Sequence, residues 1–122
     1  MVINGFFALA ISLSALLQPK PYDISVDAKK MYYDYKNDKS KADKLYLDKR
    51  IYLQGIVKEE SANMSVVYLV IPAPGDGITA VIDDSALTKI PIYKPGDKFG
   101  LVCIGAGIVF ELPLVLHCTP LN

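Results

Sequence analysis

Tryptophan is absent from the 122 residues, histidine occurs once and cysteine twice. Such a supply is thin for a zinc site, which takes four ligands and usually announces itself by CxxC spacing. It is equally thin for nucleophilic catalysis. His117 stands beside Cys118, and neighbouring residues on a strand point to opposite faces. Excess charge is missing as well: 13 Lys and Arg balance 13 Asp and Glu, whereas a general nucleic-acid binder carries a large basic surplus. The acidic pairs Glu59-Glu60 and Asp83-Asp84 fall at strand ends, where solvation accounts for them. Gly75-Asp76-Gly77 and Gly105-Ala106-Gly107 lack the Lys-Ser/Thr of a phosphate loop and read as turns. The expectation is a protein that is not an enzyme and holds no metal and no cofactor.

Long apolar runs are also missing, but a short one is present. Residues 5–17 carry no charge. They fall short of the ~20 residues of a membrane-spanning helix and fit the apolar core of an export signal, about 7–15 residues long. Pro19 and Pro21 close the run, as helix-ending residues do. No Lys or Arg precedes it, and Ala8-x-Ala10 lies too early for a cleavage site. Residues 1–22 are therefore read as a signal peptide or a short uncleaved anchor, touching the membrane through residues 3–17. A buried helix of a cytosolic protein is the competing reading. It is disfavoured because the run has no polar stripe.

Residues 23–122 are read as one domain, close to the common domain size of about 100 residues. Val26, Met31, Tyr32, Tyr35, Ala42, Leu45 and Tyr46 approximate one helical face. A helix is expected over about 25–47, capped by Ser25 or Asp27, with a kink or break at Asn37-Asp38-Lys39-Ser40. Its tyrosines are expected to cover one end of the strands. Residues 27–50 hold eight Lys or Arg against five Asp, a balance of +3, while residues 51–122 hold four against seven, a balance of −3.

Everything after residue 50 reads as strand: 50–59, with Ile51, Leu53 and Val57 on one face, then 66–71, 78–82, 98–104 and 108–118. Turns are expected at 61–63 and 72–77, a short helical link at 84–90, and a hairpin at Gly105-Ala106-Gly107. Pro113 requires an unpaired edge or a bulge. Five short strands with a link between the third and fourth form the layout of a mainly β, five-stranded OB-fold barrel preceded by a helix. An SH3-like barrel is the alternative and would not need that link.

Tyr35, Ala42-Asp43, Tyr46, Lys49 and the strand through Gly55-Ile56-Val57 resemble the tRNA-anticodon-binding-like OB-fold family of small exported bacterial proteins and lipoproteins. Lys94-Pro95-Gly96-Asp97-Lys98 is similar to that family's lead into strand four, and Cys118 to its last-strand cysteine. The resemblance covers about residues 25–118. It departs from the pattern at Asp38, where an asparagine is usual, and at Cys103, which precedes Gly105 instead of following a glycine. It implies an OB fold and an extracytoplasmic address, periplasmic, secreted or membrane-anchored, more than any activity.

OB barrels offer the outer face of strands two and three to ligands. The candidate ligand-binding residues there are Tyr52, Gln54, Lys58, Tyr68 and Thr79. The tyrosines would stack on rings and Lys58 would meet an anion, although tyrosines on strands also serve sheet packing. The expected partner is an envelope protein or another envelope component, with single-stranded nucleic acid on the same face as the alternative and a structural, membrane-proximal domain as a third. Cys103 and Cys118 are read either as a disulfide or as two buried thiols. A hairpin turning near Ala106 would hold them too far apart to bond.

Overall fold

The computed structural model describes residues 21–60, 67–71 and 77–121. The expected apolar segment (except Pro21 and Tyr22), the turn at 61–63 and most of the loop at 72–77 lie outside them.

Among the described residues the first element is a strand, not a helix. β1 (Ile24–Asp27) pairs in parallel with β2 (Arg50–Glu60), Ile24 against Ile51 and Val26 against Leu53. The helical reading of 25–27 is thereby corrected. Val26 is buried because alternate strand residues share a face, not because of helical spacing. The helix starts one residue later, when the Asp27 carboxylate accepts the Lys30 amide at 2.8 Å and so caps α1 (Ala28–Asn37). The expected break is real. Asp38 takes extended backbone, ends α1 and caps α2 (Lys39–Tyr46) by accepting the Lys41 amide.

Three further strands follow: β3 (Val67–Ile71), β4 (Ile78–Ile82) and, after a single 3-10 turn at Asp84–Ala86, β5 (Lys98–Val109). The link is shorter in helix than the 84–90 expected. β6 (Leu112–Thr119) is the last strand among the described residues. The sheet runs β1-β2-β3-β4-β6-β5, with β5 also pairing with β2. β2 serves two neighbours, opposing β5 from Arg50 to Ile56 and β3 from Ile56 to Glu60. Register shifts interrupt the β2–β3, β4–β6 and β5–β6 pairings. With β1 the sheet has six strands, and it is an irregular sheet and not the evenly closed five-stranded barrel expected, because those shifts interrupt its pairing.

The β5–β6 hairpin corrects the sequence reading most. It turns at Phe110 and Glu111, five residues beyond Gly105, on left-handed backbone with φ of 51° and 67°. That conformation costs a non-glycine residue about 1 kcal/mol. Gly105 instead lies within β5, where the end of α2 presses on it. A Cβ there would stand 1.9 Å from the Tyr46 carbonyl oxygen. Moving the turn moves the register, so Val102 opposes Thr119 and Ile104 opposes Leu116. Cys103 and Cys118 thus face each other with Cα atoms 4.0 Å apart and are bonded. Pro113 sits opposite Ile108, ahead of the β4–β6 pairing that begins at Leu114, so its missing amide costs no ladder bond on that side.

The core lies between the sheet and the helices. Ile51, Leu53, Val57, Val70, Ile78 and Val115 are fully or almost fully buried, each contributing roughly 1.5–3 kcal/mol by leaving water. Tyr68, Tyr93 and Phe99 pack as a ring cluster, the first two edge to face at 5.3 Å. Tyr35 and Tyr46 close the helical side, as expected of the helix tyrosines.

Candidate functional site

β1, β2 and β5 place outward residues in cross-strand rows. Tyr52 stands between Ser25 and Val102, and Gln54 between Asp27 and Gly100. Gly100 leaves the space into which Tyr52 leans: a Cβ there would lie 3.2 Å from the tyrosine Oη. Tyr22 covers part of the Tyr52 ring from the other direction, with centroids 5.5 Å apart. The result is an open cleft of about 560 Å³ lined by Asp27, Tyr52, Gln54, Tyr93, Lys98 and Phe99. It presents a half-exposed ring, an amide, a carboxylate and an ammonium. Burial pushes the Tyr93 phenol above its ordinary pKa, a shift partly offset by a hydrogen bond from the Gly100 backbone.

A second cleft, of about 590 Å³, separates α1 from the β5–β6 hairpin. Tyr32 and Lys36 form one wall, Phe110, Glu111 and Pro113 the other, and Lys58 reaches in from β2. The Lys36 ammonium lies 5.8 Å from the centre of the Tyr32 ring.

The five residues read as one ligand face are thus divided. Tyr52 and Gln54 share the first cleft, while Lys58 lines the second. Tyr68 is not a surface residue: it is 1% exposed and its hydroxyl accepts the Tyr93 amide at 3.2 Å. Its stretch of sequence is apolar at every position, so nothing in the alternation shows which side faces in. Pairing with buried Ala80 decides it. Thr79 is half-buried between Leu69 and Leu114 and lines neither cleft. His117 is exposed, with its Nδ1 3.9 Å from Asp83. Asp27, Lys98 and Tyr93 escaped the sequence reading because β1 and the approach to β5 were needed to assemble them. Phe110 escaped because it was placed inside a strand.

The residues that carry the family resemblance have a structural task. Tyr35 of α1 donates to Asp43 of α2 at 2.9 Å, and Tyr46 of α2 donates to Asp34 of α1 at 2.5 Å. Ala42 is fully buried. The two reciprocal bonds clamp the helices into a fixed angle, and neither pair lines either of the two clefts as a whole: only Tyr35 touches the second. Desolvation and the bond to an aspartate raise both phenols well above their ordinary pKa. Desolvation raises the Asp34 carboxyl too, but hydrogen bonds from Lys30 and Tyr46 outweigh it and hold that group below its ordinary value.

This strand order, with a helical pair packed on an irregular sheet, is compatible with an OB fold. The tRNA_anti-like family profile matches residues 9–119, and the chain belongs to that family. No curated protein matches it. Among the described residues no group of three or more His, Cys, Asp or Glu is placed to hold a metal ion, and no helix is long and apolar enough to cross a membrane.

Proposed function

We propose that this protein is a non-enzymatic binding module of the bacterial cell envelope, and that it holds an envelope protein or another envelope component in the Tyr52–Gln54 cleft. The observation that carries the reading is the composition of that cleft. A ring leaning over a glycine, beside an amide, a carboxylate and an ammonium, offers stacking and hydrogen bonds in several directions. Two features support the address. The uncharged run at 5–17 has the length of an export segment. The Cys103–Cys118 bond belongs in an oxidising compartment.

The cleft is tested by titrating the isotopically labelled full chain with soluble envelope glycan fragments and with peptides of envelope proteins. Backbone amide shifts should cluster at Tyr52, Gln54 and Gly100 and vanish in Tyr52→Ala. Shifts centred elsewhere, or no response to any envelope component, would remove the reading. The address is tested by fractionating cells that express a C-terminally tagged chain and weighing the product. A full-length product in the cytosol would overturn it.

Single-stranded nucleic acid is the second reading, favoured by the family and by the half-exposed Tyr52 ring. It predicts binding that weakens steeply between about 50 and 200 mM salt. The cleft is lined by one lysine, Lys98, and one carboxylate, Asp27, while Lys58 lines the other cleft, so a shallow salt dependence is expected instead.

A further inference from the structure

The β5–β6 hairpin ends in a side chain that the domain does not use. Phe110 is 96% exposed and Val109 beside it 45%. Both sit on a stem held by Val109–Leu112 and Ile108–Pro113 pairing, with Pro113 buried. Phe110 and Glu111 hold left-handed backbone to make the turn, where glycine or asparagine would be easier. The tip thus projects an apolar ring beside one exposed carboxylate, Glu111.

The charge around it is of one dominant sign. Lys36 and Lys58 share the cleft beneath the tip, against Glu111. Lys29 lies two helical turns from Lys36 on the same stripe of α1. Five of the six aspartates between residues 21 and 50 are hydrogen-bonded within the domain. Asp23, Asp27, Asp34, Asp38 and Asp43 each accept a hydrogen bond within the domain. Among the described residues, Lys29 and Lys36 have no carboxylate within ion-pair distance, whereas Lys41 and Lys44 of α2 line a separate cleft beside Asp34 and Asp38. A protruding aromatic ring above the two lysines Lys36 and Lys58 complements one kind of surface, an apolar layer beneath anionic headgroups.

We propose that the β5–β6 hairpin is a membrane-contact element: Phe110 enters the interface of an anionic bilayer while Lys36 and Lys58 lie against lipid phosphates. This surface is separate from the Tyr52–Gln54 cleft, and neither depends on the other. Docking here would hold the domain against the bilayer while leaving that cleft to its own ligand.

The chain has no tryptophan, so Phe110→Trp creates a single local reporter in the full-length protein. Ile92→Trp, at a 78% exposed site in the loop leading into β5, is the control. With vesicles of phosphatidylcholine containing phosphatidylglycerol, the tryptophan at 110 should shift to the blue and be quenched by brominated acyl chains, and the one at 92 should not. Adding Lys36→Gln and Lys58→Gln should lower the fraction of blue-shifted signal, with the partition coefficient falling about tenfold or more. Because each signal is read at one site, attachment through the N-terminal segment cannot imitate the result. Circular dichroism and the melting temperature check that each variant is folded. Equal response at 92 and 110, equal response to uncharged phosphatidylcholine vesicles, or a shift at 110 only on adding envelope proteins would each overturn the proposal.

Discussion

The helical pair and the β5–β6 hairpin lie on the same sheet but are held by different chemistry. α1 and α2 are joined through phenol–carboxylate bonds and side-chain caps, all of which depend on protonation state. The hairpin is held by backbone pairing, a buried disulfide and a buried proline, none of which titrates near neutral pH. The contrast teaches where each half is vulnerable. Acid or alkali attacks the helices, while reductant and steric change attack the hairpin. The two halves meet at Gly105, where the Tyr46 carbonyl approaches β5.

That junction should give the largest effect. Gly105→Ala forces a methyl group into a 1.9 Å gap against backbone, and we expect a loss of about 3 kcal/mol or failure to fold. Urea unfolding of the soluble fraction measures it, and an unchanged midpoint would show that the helices are not seated on β5 as described. Reducing the disulfide, or Cys103→Ala with Cys118→Ala, opens a loop spanning a sequence separation of 15 and should cost about 3 kcal/mol. Hydrogen exchange should rise first along β5 and β6. If it rises equally in the helices, the contrast between the two regions fails.

Tyr46→Phe removes one clamp bond and leaves its ring, so a loss of about 1–2 kcal/mol is expected, with faster exchange in α1 and α2. The remaining effect concerns pH. The folded chain raises the Tyr35 and Tyr46 phenols above the unfolded value of 10.0. The unfolded state therefore loses its protons first. The clamp's contribution is complete below about pH 10 and declines as pH rises toward the folded values. Asp34 behaves oppositely: its carboxyl is held below 3.8 in the fold, so its contribution is present above that value and is lost as pH falls through the folded pKa. Tyrosinate absorbance should show Tyr35 and Tyr46 ionising only together with unfolding. Ionisation in the native state would mean that the phenols are not clamped.

Local chemistry made much of the fold legible. The break at Asp38, the inward residues Ile51, Leu53 and Val57 and the strand at Ile78–Ile82 follow from capping, alternation and turn residues. β1 was hidden because Ile24–Asp27 is short and runs directly into a helix. The two glycines of Gly105-Ala106-Gly107 read as a turn for a sound local reason, glycine's conformational freedom. At Gly105 the structure uses something else, the missing side chain. The Tyr52–Gln54 pair was found from β2 alone, whereas its neighbours Asp27 and Lys98 come from strands whose register no local pattern specifies.

By itself the sequence determined the class of fold, the capping acids, the alternating face of β2 and the family to which the chain belongs. Each follows from interactions among residues close together in the chain or from a pattern carried along it. Tertiary structure decided where the last hairpin turns, and with it that Cys103 meets Cys118, that Tyr68 faces inward and that Phe110 faces out. The physical reason is the twofold repeat of a strand. A shift in a turn changes which partners meet across the sheet, and a change of parity exchanges its faces. Only contact with elements distant in sequence selects among the alternatives, here the end of α2 against Gly105 and Ala80 against Tyr68.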